Sequence, residues 1–159
     1  MNAEDIPVYI DEMFSVLYDN MSKIAPTGCT RAEDYEVWSK NVVPVWEDGR
    51  RKVVLIFCGD ELCGFFQYAV YGETFRMDEI QFKAEVQGSG LFGELYRYLV
   101  REVVPPQTKY AEAYSHKKNI KSQQILAHLG LTAVGENANG NSLHFRGEYK
   151  TIFEMYSVR

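Results

Sequence analysis

The segment Gln87-Gly88-Ser89-Gly90-Leu91-Phe92-Gly93 constrains this chain more than any other. It joins a strand-like run, Met77 to Val86, to an amphipathic run from Gly90 to Val103, where Leu95, Tyr96, Leu99 and Val100 recur at helical spacing. Three glycines at a strand-to-helix turn leave backbone N–H groups unshielded by side chains. The first N–H groups of a helix have no internal partner, and the helix dipole adds partial positive charge there. Such a turn suits a phosphate or pyrophosphate. A glycine turn without a ligand is the plainer alternative, but three glycines so close together cost backbone entropy.

The elements around the turn follow from periodicity. Ile6, Ile10, Met13, Phe14, Leu17, Tyr18 and Met21 place one apolar face on a helix from Ala3 to Lys23. Pro26-Thr27-Gly28 breaks it. A second helix is expected from Thr30 or Arg31, with acidic Glu33, Asp34 and Glu36 in its early turns and Pro44 kinking or ending it. Lys52 to Cys58, Leu62 to Val70 and Thr74 to Val86 read as strands. The turns between them are short enough to demand antiparallel hairpins. Beyond Pro105-Pro106, Tyr110 to Tyr114 reads as a strand. Ile120 to Leu129 reads as a helix capped by Gly130, and Leu131 to Gly135 starts another strand. Ser142 to Val158 carries strand-like runs at Leu143–Phe145 and Thr151–Tyr156. With 159 residues, the chain is expected to form one mixed α/β (α+β) domain over 1–159.

Composition excludes several classes. A formal net charge of -5 does not point to nucleic acid. No run approaches the roughly 18 apolar residues of a membrane span. The acidic start Met1-Asn2-Ala3-Glu4-Asp5 has no signal-type pattern. Cys29, Cys58 and Cys63 lack metal-ligand spacing and read as structural thiols, which suits a reducing, cytoplasmic setting.

Gly88-x-Gly90-x-x-Gly93 matches the dinucleotide fingerprint, and Glu112 follows about 20 residues later, where a ribose-binding acid belongs. A nicotinamide-dependent oxidoreductase is therefore one reading. Against it, two helices and an antiparallel meander come first, and too little chain follows for a second half.

A second reading uses more of the chain. Gln87-Gly88-Ser89-Gly90-Leu91-Phe92 resembles the Gln/Arg-x-x-Gly-x-Gly/Ala turn of the GNAT N-acetyltransferases, with Phe92 at the last position and Gly93 one step later. Phe82-Lys83-Ala84-Glu85-Val86 falls where that family has an apolar-x-Pro-x-x run, with Ala84 at the usual Pro. The stretch from Asn119 to Leu131 is similar to the family's Asn-x-x-Ala/Ser-x-x-Leu-Tyr/Leu-x-x-Leu-Gly-Phe pattern. Its Ser122 and Leu126 are the variants of the RimJ/RimL-like branch, which acetylates N-terminal amines of ribosomal proteins. The resemblance covers roughly Arg51 to Tyr156. It implies a mostly antiparallel sheet with helices on both faces, and transfer of an acetyl group from acetyl-CoA to an amine.

The resemblance also implies roles. Backbone N–H groups of Gln87, Gly88, Ser89, Gly90, Leu91, Phe92 and Gly93 would hold the pyrophosphate. Phe82 and Ala84 would pair with the pantetheine arm like an added strand, and Asn119 and Ser122 would meet it from the other side. Glu79 stands where several members carry a base; a solvated carboxylate or an ion pair with Arg76 is the alternative. Many members have a Tyr at the position of Leu126, so Tyr114 and Ser122 are the nearby hydroxyls that could protonate the thiolate. His116, Lys117 and Lys118 are a basic cluster for a 3′-phosphate, or an ordinary solvated loop. The acceptor would be a small-molecule amine or a protein N-terminal amine, with homodimerisation open. A non-catalytic acyl-CoA-binding protein on the same fold is the rival that Leu126 favours.

Overall fold

The helix that opens the chain forms where its apolar stripe predicts. A computed structural model describes residues 1–157; Val158, the end of the last predicted segment, lies outside the described residues. A single 3-10 turn, Ala3–Asp5, leads into α1 (Ile6–Ile24). Helix α2 (Arg31–Glu47) begins on a reciprocal cap, with the Thr30 hydroxyl accepting from Glu33 N at 3.1 Å and Glu33 Oε1 accepting from Thr30 N at 2.9 Å. Pro44 does not end α2. The missing N–H removes one helix bond, but the turn beyond it buries Trp46, whose packing holds the helix together.

Strands β1 (Lys52–Cys58), β2 (Glu61–Tyr71), β3 (Thr74–Phe82), β4 (Tyr110–His116), β5 (Thr132–Glu136) and β6 (Ser142–Glu148) form a sheet in the order β1-β2-β3-β4-β6-β5. The β1–β2, β4–β6 and β5–β6 pairs are antiparallel, and β3–β4 is parallel. Helices α3 (Leu91–Tyr98), α4 (Ile120–His128) and α5 (Tyr149–Tyr156) complete the set. The expected mixed, mostly antiparallel α/β fold is observed. The chain divides into two units, Met1–Ala69 with Glu79–Val86, and Val70–Asp78 with the residues from Gln87 on.

In the first unit, Ile10, Met13 and Val16 of α1 and Val42 and Trp46 of α2 pack with Val53 of β1 and Leu62 and Phe65 of β2. Full burial of each such side chain contributes about 1.5–3 kcal/mol. The β1–β2 register slips between Ile56 and Phe57, so Cys63 is the extra residue of a bulge. Its carbonyl accepts from Lys83 N at 2.8 Å, and the neighbouring Gly64 lies against the Gln81 carbonyl and Phe82. Strand β3 stops at Phe82 rather than Val86. Ala84–Val86 is a 3-10 turn, closed by Val86 N donating to Lys83 O at 3.1 Å.

In the second unit, β4 and β6 pair along seven residues each, Tyr110↔Glu148 to His116↔Ser142. The helix after the glycine turn begins at Leu91, and its end widens into a π-helical segment, Leu99–Val103, before Pro105. Tyr96 Oη lies 3.2 Å from Met77 Sδ, which ties α3 to β3. The run Thr151–Tyr156 is not a strand. Tyr149, Ile152 and Tyr156 recur at helical spacing, and burial of Tyr149 and Ile152 selects helix over the β preference of Thr, Ile and Phe.

Gly64 is the position that lets β2 and the end of β3 approach. A Gly64→Ala methyl overlaps the Gln81 carbonyl oxygen and the Phe82 ring. The substitution is expected to cost about 1–3 kcal/mol, read as a lower urea midpoint at unchanged m-value.

Candidate functional site

The glycine turn lies in the second unit. Gly88 and Gly90 have φ of 78° and 94°, and a methyl on either meets nothing within 4 Å. These glycines are required by backbone conformation, not by packing. Gly90 caps α3 without a side-chain hydrogen bond. Residues Gln87 to Gly90 are largely exposed, while Leu91, Phe92 and Gly93 are half-buried in the first turn of α3. The Gln87 amide oxygen accepts from Lys121 Nζ at 3.3 Å. The turn thus combines left-handed Gly88 and Gly90, largely exposed residues and the start of a helix.

Asn119 does more locally than the motif implies. Its Oδ1 accepts from Ser122 N at 3.1 Å, so it caps α4 and takes up the backbone N–H of Ser122. Leu126 is buried on α4. His116 Nδ1 accepts from Lys118 N at 3.1 Å, and Lys117 pairs with Glu136 at 2.5 Å. That pairing partly neutralises the basic cluster.

The parallel β3–β4 ladder runs from Thr74↔Tyr110 to Met77↔Ala113 and stops. Tyr114, Ser115 and His116 continue β4 with β6 as partner. Tyr114 is exposed and stacks on His144, with centroids 4.5 Å apart and planes 9° apart. Ser115, on the other face, is 4% exposed, and among the described residues its hydroxyl has no hydrogen-bond partner.

Beside Tyr114 lies a polar cluster that motif reading did not anticipate. Glu112 is 5% exposed. Its carboxylate accepts from Tyr71 Oη, from Arg146 at 2.8 Å and from His144 Nε2 at 3.3 Å. The Arg146 guanidinium also lies 4.6 Å from the centre of the Tyr110 ring. Burial opposes charge on Glu112, but the hydrogen bonds from Tyr71, His144 and Arg146 outweigh it and hold the carboxyl below its ordinary range. Glu112 is thus enclosed by three donors and is not placed to bind a ribose, which removes the acid that the dinucleotide fingerprint requires. The clue in the sequence was alternation: Glu112 and Tyr114, like His144 and Arg146, share one face of adjacent strands.

Glu79 belongs to the first unit. Its Oε1 accepts from Gln67 Nε2 at 2.8 Å, and its Oε2 accepts from Gln81 Nε2 at 3.3 Å. Arg76 Nε pairs with Asp78 at 2.5 Å. The Phe82 carbonyl accepts from Asn20 Nδ2 at 2.8 Å. Among the described residues there is no cluster of metal-ligating side chains, and no helix is long and apolar enough to cross a membrane.

Glu112→Gln is expected to cost about 2 kcal/mol at neutral pH, with Arg146's access to solvent softening the loss. The native carboxyl is held low, so its stabilisation is complete above the unfolded carboxylate range and is lost as pH falls through the folded-state value. Urea titrations across that range should show the gap between wild type and variant closing as pH drops.

No family model and no curated protein matches the sequence. Solved structures do match the fold. An acetyltransferase from Thermus thermophilus superposes with TM-score 0.68 at 16% identity, covering 93% of each chain. The PaiA N-acetyltransferase of Thermoplasma acidophilum, in complex with coenzyme A, gives 0.64 at 14% identity over 94% of this chain and 96% of that one. The aminoglycoside acetyltransferase AAC(6')-Ib, in complex with coenzyme A and kanamycin, gives 0.64 at 16% identity over 98% and 95%. The chain therefore has the fold of the GNAT acetyltransferases.

Proposed function

We propose that this protein is an N-acetyltransferase that moves an acetyl group from acetyl-CoA to a primary amine by direct attack. The observation that carries the reading is the exposed turn at Gly88 and Gly90, at the start of α3. It coincides with the motif that implies pyrophosphate binding, on a fold shared with enzymes crystallised with coenzyme A.

In this reading, backbone N–H groups from Gln87 to Gly93 bind the pyrophosphate. The pantetheine arm follows Phe82 and Ala84, and Asn119 and Ser122 are the further residues that the motif assigns to it. Because Ala84 sits in a 3-10 turn, strand-like pairing falls mainly on Phe82. Glu79 takes the proton of the amine, the nitrogen attacks the thioester carbon, the C–N bond forms and the C–S bond breaks. Leu126 cannot protonate the departing sulfur. Tyr114 or the Ser122 hydroxyl can, and a thiol of pKa near 8.5 also leaves as the thiolate. Ser122 and Leu126 favour a protein N-terminal amine; the likeness to an enzyme holding kanamycin favours a small amine. The three free thiols agree with a cytoplasmic setting.

Acetyl-CoA at about a hundredfold excess over Kd should stabilise the protein by about 2.7 kcal/mol, a rise in Tm of roughly 5–10 °C. NAD should give no shift. Gly90→Val forces a β-branched residue to φ of 94°, and should remove the acetyl-CoA shift while the ligand-free variant still melts cooperatively. Turnover across a panel of small amines and N-terminal peptides then separates an enzyme from an acyl-CoA-binding protein. An unmoved Tm with acetyl-CoA defeats the proposal.

A further inference from the structure

Two hydrogen-bonded chains converge on Glu79 from opposite sides. In the first, the Trp46 indole N–H donates to Gln67 Oε1 at 2.8 Å, and Gln67 Nε2 donates to Glu79 Oε1 at 2.8 Å. In the second, Asn20 Nδ2 donates to Gln81 Oε1 at 3.0 Å, and Gln81 Nε2 donates to Glu79 Oε2 at 3.3 Å. An amide side chain can ordinarily turn either end to a neighbour. Here both chains are anchored by a group of one polarity. An indole nitrogen can only donate, so Gln67 must turn its oxygen to Trp46 and its NH₂ to Glu79. The Phe82 carbonyl can only accept, so Asn20 must present its NH₂ there, at 2.8 Å, and to Gln81 as well. Gln81 then has only its NH₂ left for Glu79.

Every link therefore runs towards the carboxyl group, and each of its oxygens receives an N–H. Gln67 is 1% exposed, so water does not compete for its amide. None of the four groups titrates, so the arrangement keeps one polarity across the working pH range. Two donors on separate oxygens fix the carboxylate plane, which a single contact would leave free to rotate.

We infer that Trp46, Gln67, Asn20 and Gln81 are positioning residues that aim Glu79 as the proton acceptor for the amine. This rests on the transferase reading of Glu79. Asn20 links the two ends of that task, since the same NH₂ that orients Gln81 also holds the Phe82 carbonyl at the end of β3.

The test uses the full chain and acetyl-CoA, with the amine that turns over fastest in the panel. Gln67→Met is made alone and together with Trp46→Phe, so that one variant leaves no buried indole donor without a partner. Both should lower kcat on the order of ten- to a hundredfold, with KM for acetyl-CoA held within about twofold. In a Glu79→Gln background the same changes should cause no further loss, because they act through the carboxylate. Additive losses there overturn the inference. A second readout needs no acceptor: the Glu79 side-chain carboxyl carbon, followed by NMR in ¹³C-labelled protein, should titrate about one pH unit higher once the Gln67 donor is gone. If wild-type protein acetylates no amine, the transferase reading fails, and the titration alone decides the chains. An unmoved midpoint then overturns them.

Discussion

Every strand that stops leaves backbone donors and acceptors to be satisfied some other way, and this chain is organised by where its strands stop. The parallel β3–β4 ladder ends at Met77↔Ala113, after four residue pairs. Strand β4 goes on for three more residues on β6, and β3 goes on to Phe82. There the Phe82 carbonyl is taken by Asn20, the Lys83 N–H by the Cys63 carbonyl, and the Val86 N–H by the Lys83 carbonyl. The chain then enters the glycine turn, where left-handed Gly88 and Gly90 bring it into α3. A bulge at Cys63 and a bare Gly64 are what allow the close approach in the middle of this path. The proposed binding residues are thus backbone groups at element ends, and the side chains around them mainly fix that backbone.

Buried polar groups supply the second constraint. Glu112 in one unit and Gln67 in the other are almost wholly enclosed, and neither is tolerable without partners. Tyr71, His144 and Arg146 meet Glu112; Trp46 and Glu79 meet Gln67. Each set specifies one strand register, because a shift by one residue would turn these groups to the wrong face. The exposed Tyr114 ring stacks on His144 beside the first set.

Much of this was legible in the amino-acid order. The apolar stripe of α1, the start of α2 with its acidic early turns, the three central strands and the turn at Gln87 to Gly93 are local patterns, and local patterns survive translation into structure. Two local readings failed. Thr151–Tyr156 carries β-type residues, but burial of Tyr149 and Ile152 rewards a helical period. The end of β3 was placed at Val86, because nothing in Ala84-Glu85-Val86 announces a 3-10 turn.

The sequence by itself determined the strand–glycine–helix turn, the elements up to β6 and the residue types at the candidate site. Those depend on backbone conformation and on neighbours within a few positions. Tertiary structure alone decided which carboxylates would be held and by what. Trp46 and Gln67 are 21 residues apart, Gln67 and Glu79 are 12 apart, and Asn20 and Gln81 are 61 apart. Side chains so distant meet only after the sheet register and helix packing have chosen a face for each. No periodicity records that choice, because it is made by the free energy of burying the whole set together.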